Sequence, residues 1–165
     1  MEQHASRRDL LLASLPLSLT VAAASPLNPA ETIIKLPDAL QWKTQPTFPP
    51  GSAEICPLRR EITAPGLYYM LIRRNPGYMS APHTCRTVRF CVVVSGVWWC
   101  NSGADFDTAS CVPVPAGSYV RRVSGIPHYD GVIRSAHEPA VIAICGIGPV
   151  NFALVDPSKP PWRAV

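Results

Sequence analysis

No apolar run in this 165-residue chain is long enough to cross a bilayer comfortably. The longest, Leu10 to Ala24, is about 15 residues and contains Pro16, against the ~20 that a spanning helix needs. Long helices are excluded as well, because 19 prolines and 10 glycines cut the chain into short segments suited to strands and turns. Acids are scarce, 11 against 15 lysines and arginines, which leaves a formal net charge of +4. The basic residues do not gather into a stripe interleaved with aromatics, so no nucleic-acid partner is expected. No C-x-x-C pair, glycine-rich phosphate loop, nucleophile elbow or paired-carboxylate signature occurs. Dithiol redox chemistry, a structural zinc knuckle and phosphate-loop or serine-nucleophile catalysis therefore lack their usual carriers.

What is present is a sizeable apolar fraction, 47% of residues, enough for one core in a single domain. Residues 5–25 read ASRRDLLLASLPLSLTVAAAS. Ser6-Arg7-Arg8 ahead of Asp9 and a leucine run resembles a twin-arginine export signal, and Ala22-Ala23-Ala24 before Ser25 suits a signal-peptidase cut. An ordinary secretory signal with coincidental arginines is the simpler alternative. Either reading places the mature protein in a bacterial periplasm or outside the cell. No cysteine follows the cut, so no lipid anchor or other stable membrane attachment is expected. The expected organisation is a signal peptide over 1–24, a linker over 25–32, a β domain over 33–157 and a proline-rich surface tail over 158–165.

Within the mature chain, strands are expected at Thr32–Lys35, Leu40–Lys43, 54–63, 67–74, Met79–Cys85, Arg89–Val94, Val97–Cys100, Val112–Val114, Ser118–Val123, from His128, at Ala140–Gly146 and at Phe152–Val155. Turn signals such as Pro76-Gly77, Ser95-Gly96 and Pro115-Ala116-Gly117 separate them. Many short strands and no convincing helix predict an all-β jelly-roll or barrel.

Two stretches organise the rest: GYMSAPHTCRTVRFCVVVSG, Gly77 to Gly96, and GSYVRRVSGIPHYDGV, Gly117 to Val132. His83 and Cys85, one residue apart on a strand, share a face. If that face lines the inside of a barrel, His83, Cys85 and His128 converge. The spacing of both stretches resembles the two motifs of the cupin family. Gly77, His83, Cys85, Arg89 and Gly96 take the positions of the first motif, and Gly117, Val123, Gly125, His128 and Val132 those of the second. The resemblance covers roughly 33–157 and implies a double-stranded β-helix (jelly-roll) barrel, commonly a homodimer. It also implies a metal site of three histidines and a glutamate. Here only His83 and His128 match that set, with Cys85 in place of a histidine and Arg89 in place of the glutamate.

Two site chemistries follow. His83, Cys85 and His128 make a three-ligand set with an open position, suited to a divalent transition metal, whether zinc, copper, manganese or iron. That set would serve a metal-dependent oxygenase or isomerase of the kind the fold often hosts. Arg89 opposes it, because a like-charge pair at about 4 Å costs on the order of 4 kcal/mol at a dielectric near 20, and a divalent ion about double. Alternatively, His83, Arg89 and His128 line a pocket for a small anionic or polar metabolite, gripped by the guanidinium fork. That pocket would bind its ligand without turning it over. A third possibility is a vestigial domain whose histidines are only hydrogen-bonded.

Several residues stay open. The pairs Arg59–Arg60, Arg73–Arg74 and Arg121–Arg122 read as solvated or carboxylate-paired, with one member of a pair free to face inward. Asp105, Asp107 and Asp130 read as loop acids without a visible partner. The six cysteines, 56, 85, 91, 100, 111 and 145, allow either disulfides, including a Cys85–Cys91 bridge, or small buried apolar residues. Phe90, Trp98, Trp99, Tyr119 and Tyr129 read as core or dimer packing.

Overall fold

The computed structural model describes residues 32–165. The export signal and nearly all of the linker lie outside the described residues. Leu36–Val165 forms one compact unit.

The unit holds twelve strands: β1 (Ala53–Arg59), β2 (Gly66–Arg74), β3 (Tyr78–Ser80), β4 (His83–Cys85), β5 (Arg89–Ser95), β6 (Val97–Ser102), β7 (Val112–Pro115), β8 (Tyr119–Arg122), β9 (His128–Val132), β10 (Ala140–Gly148), β11 (Phe152–Leu154) and β12 (Trp162–Ala164). All pairings between them are antiparallel, in two sheets. One sheet has five strands in the order β1-β2-β10-β5-β8, and the other has seven. In the second sheet β9 is central. β3 and β4 follow one another along one of its edges, β6 lies along the other, and β11 and β12 flank β4 and β3.

Side-chain alternation decides which face of each strand is inside. On β2, Tyr68, Met70, Ile72 and Arg74 are buried while Leu67 and Tyr69 are exposed. On β5, Cys91 and Val93 are buried between the exposed Phe90, Val92 and Val94. With Ile55, Trp98, Val132, Ile142 and Ile144 these form one core between the sheets. Gly96, at φ +70°, turns β5 into β6 where a Cβ would lie 2.4 Å from the Pro139 carbonyl oxygen. Only glycine meets both demands, which gives this glycine of the first motif its physical reason.

Several expectations change. Residues 32–35 carry no strand, and Leu40–Lys43 contributes only a bridge between Lys43 and Ile55. The single strand expected over Met79–Cys85 is two, interrupted at Ala81-Pro82 because proline has no N–H for the ladder. The tail does not simply lie on the surface. Trp162–Ala164 pairs with Tyr78–Ser80, and Trp162 packs edge-on against Phe48 with ring centroids 4.9 Å apart.

Candidate functional site

The site is built where the two sheets face each other. On the seven-stranded sheet, His83 of β4 and His128 of β9 are direct cross-strand partners, with rings crossing at 60° and centroids 4.3 Å apart. Each imidazole is held by the same local device. His83 Nδ1 donates to the Ala81 carbonyl oxygen at 2.8 Å, and His128 Nδ1 to that of Ile126 at 2.9 Å. With the proton on Nδ1, the Nε2 lone pair of each ring is free to accept. Burial keeps both rings neutral, pushing His83 down to about 3 and His128 down to about 4. Phe152 of β11 stacks on His83 with centroids 4.1 Å apart and fixes its plane.

Cys85, two residues along β4, is buried on the same side. One ligand atom each from His83, Cys85 and His128 lie within 4.8 Å of one another, so the group could hold a metal ion. Burial raises the Cys85 thiol, partly opposed by Arg89. No disulfide forms: all six cysteines are free thiols, Cys85 and Cys91 included.

Across from these groups, the five-stranded sheet contributes arginines. Arg89 at the start of β5 neither swings outward nor pairs with an acid. Its guanidinium donates to His128 Nε2, in a short contact with the atom a metal would use. Arg74 of β2 and Arg122 of β8 are buried, and both reach Asp130 of β9. Arg122 Nη2 donates to Asp130 Oδ2 at 3.1 Å, and Arg74 Nη2 pairs with the other carboxylate oxygen. Burial alone would raise the Asp130 carboxyl, but the two guanidinium groups hold it well below the usual carboxylate range. Asp130 is therefore not a loop acid without partners but the buried counter-ion of two arginines. Ser80 Oγ fixes its backbone, accepting from Asp130 N–H at 3.0 Å and donating to its carbonyl at 3.1 Å.

Sequence reasoning placed His83, Arg89 and His128 in the site and missed Arg74, Arg122 and Asp130. The signal for Asp130 was available, since it stands two residues after His128 and so faces the same way. For the arginines, parity separates the members of a pair but does not say which one is inside. Asp105 and Asp107 remain outside the site, and the Asp107 side chain accepts from Ala109 N–H in a 3₁₀ turn at Thr108–Ser110.

The charge balance is lopsided. Arg74, Arg89 and Arg122 face a single carboxylate, Asp130, while both histidines are neutral. Arg89 and Arg122 are also direct cross-strand partners, an arrangement that like charges disfavour. Next to this cluster opens a cavity of about 590 Å³, walled by Phe48, Tyr68, Met70, Phe152 and Trp162 among others. Its charged lining residues are Arg74 and Arg89, and His83 and Ser80 add polar atoms. Arg74 lies over the Trp162 ring with Cζ 4.8 Å from the centroid, so the aromatic wall also orients that guanidinium.

No family model matches the sequence, and no curated protein does either. Solved structures do. The chain is similar to the polyketide cyclase RemF from Streptomyces resistomycificus, with a TM-score of 0.65 at 12% identity over 79% of this chain and 89% of that one. It is similar to a conserved protein with a double-stranded β-helix domain from Klebsiella pneumoniae, TM-score 0.51 at 18% identity over 66% and 88%. A sugar phosphate isomerase of the cupin superfamily from Silicibacter pomeroyi gives 0.53 at 17% over 67% and 73%. These likenesses show the fold, a double-stranded β-helix of the cupin type. At such identities they carry no reaction across.

Proposed function

We propose that this protein is a binding module whose cavity takes a small organic acid with an apolar body. The observation that carries the reading is the set of three arginines against one aspartate beside an aromatic-walled cavity of about 590 Å³. The volume suits a drug-sized or smaller ligand. The carboxylate or phosphate of that ligand sits at Arg89 and Arg74, where a planar fork makes two parallel charge-assisted bonds. His83, neutral near pH 7, supplies an acceptor to the cavity rather than charge, while His128 does not line it and instead accepts from Arg89, holding that guanidinium in place.

A resident divalent metal fits this donor set poorly while Arg89 keeps its position. His128 Nε2 is already used, the one nearby carboxylate is committed to two arginines, and an excess of positive charge repels a second cation. The alternative reading, a metal-dependent enzyme of oxygenase or isomerase type, is favoured by the converging His83, Cys85 and His128 and needs Arg89 to move away. We further propose that the mature protein is exported, on the strength of the Ser6-Arg7-Arg8 signal, and that it pairs as a homodimer.

A thermal-shift screen of aromatic and aliphatic acids against matched alcohols tests the binding reading. Stabilisation by an acid, absent with its alcohol and lost in Arg89→Met, is the expected result. No acid giving arginine-dependent stabilisation would overturn it.

A further inference from the structure

Beside the large cavity lies a second void of about 20 Å³, bounded by Arg74, Arg89, Arg122, Trp98 and Asp130 with apolar side chains. A water-sized sphere needs roughly 10–15 Å³, so the void has room for one atom-sized occupant and not for a carboxylate. The side chains around it carry an unusual set of orphans. The Nε atoms of Arg74, Arg89 and Arg122 and the Nε1 atom of Trp98 are buried N–H donors without a partner, and one acceptor, Asp130 Oδ1, is likewise without a hydrogen-bond partner. Each such donor destabilises the fold if nothing accepts from it.

Donors without a partner outnumber acceptors here by four to one, so the occupant must chiefly accept. Water could donate to Asp130 Oδ1, but it accepts only two hydrogen bonds and leaves two of the four N–H donors unanswered. A monatomic anion accepts from every side and has no hydrogens to place. Its charge also opposes the surplus of guanidinium over carboxylate, and it offsets the repulsion between Arg89 and Arg122 across β5 and β8. Arg122 lies over the Trp98 ring with Cζ 5.0 Å from the centroid, which holds these two donors as a unit.

We propose that this void is a halide site, holding one chloride ion among the arginines and Trp98 as a structural part of the fold. The void shares Arg74 and Arg89 with the organic-acid pocket and adds Arg122, Trp98 and Asp130, which do not line that pocket; a halide there is read at Arg122 and Trp98 and requires no metabolite. It makes the interior anion-dependent whether or not a metabolite is bound.

Crystals of the full mature protein grown or soaked in bromide test it, by anomalous scattering at the bromine edge. A peak within contact distance of Arg122 and Trp98 is expected. The companion measurement is thermal unfolding at one ionic strength in sodium chloride, bromide or fluoride. Chloride and bromide are expected to raise Tm above that in fluoride, which is too strongly hydrated to enter a dry void, and to do so in proportion to RT ln(1 + [halide]/Kd). Trp98→Phe keeps the ring and removes the donor, and should weaken halide binding roughly tenfold, the worth of one hydrogen bond to a charged group. The wild-type crystal experiment stands even if that variant does not fold. Bromide-free density refining as water, or equal melting in all three salts, overturns the proposal.

Discussion

At the scale of single residues, the account turns on Arg89 and Asp130. Arg89 stands where a carboxylate would complete a set of ligands, and its guanidinium is bonded to His128. Arg89→Glu should therefore convert the site: one equivalent of zinc or manganese per chain, bound on incubation and read by elemental analysis after desalting. Failure of that variant to take up metal would show that His83, Cys85 and His128 are not aimed at a common point. Asp130 is the opposite case, an acid whose removal leaves buried cations unpaired. Asp130→Asn should lose about 3–5 kcal/mol in urea unfolding, while a change at the exposed Asp105 should move stability by less than about 0.5 kcal/mol. At this scale the histidines were legible, because x-His-x-Cys and a later histidine sit in a spacing that puts them on one face. Arg74, Arg122 and Asp130 were not, because which side of a strand faces inward is decided by the facing sheet, not by the strand itself.

At the scale of elements, β9 carries the site. Its alternation puts His128, Asp130 and Val132 toward the other sheet, and it is paired on one edge by β3 and β4 in succession. The break at Ala81-Pro82 lets His83 end up opposite His128 while β3 stays in register with Gly131 and Val132. Gly131 is the tight point: a Cβ there would lie 2.3 Å from the Tyr78 carbonyl oxygen and 2.6 Å from Met79 Cα. Gly131→Ala should cost at least the 1–3 kcal/mol typical of overpacking, because the obstruction is backbone that has nowhere to move. A thermal melt unchanged from the wild type would mean that β3 and β9 are looser than the register implies. Apart from the break between β3 and β4, the strand run from β2 to β10 was readable from alternating apolar residues and turn signals. β12 was not, because Trp162-Arg163-Ala164 is too short to show a period, and only its partner Tyr78–Ser80 makes it a strand.

At the scale of the whole molecule, two properties follow. The first is acid sensitivity. An unfolded histidine takes its proton near 6.5, but His83 and His128 take theirs near 3 and near 4 when folded. Between those values the unfolded chain binds more protons, so stability falls as pH drops from about 6.5 toward 4. The loss is about 1.4 kcal/mol per pH unit for each histidine. Asp130 adds a further loss below the ordinary carboxylate value of 3.8, since its folded carboxyl ionises lower still. Urea titrations at pH 7, 6, 5 and 4.5 should show the slope, and His83→Gln with His128→Gln should flatten it; a wild-type protein equally stable across that range would contradict the burial of neutral rings.

The second property lies on the outside of the five-stranded sheet. Leu67, Tyr69, Phe90, Val92, Tyr119 and Ile147 are each roughly half exposed, and the strand registers bring Phe90 and Tyr69 to either side of Cys145. Such a continuous apolar face supports the proposed homodimer. Sedimentation should give a dimer that Phe90→Asp converts to a folded monomer, and a wild-type monomer at micromolar concentration would refute the pairing.

Positive charge, from Arg89, fills the point where the two imidazoles meet. The most direct test is the metal stoichiometry of protein purified without added metal from its native compartment. Far less than one equivalent per chain is expected, unchanged in His128→Ala. One full equivalent, lost when either histidine is replaced, would contradict it.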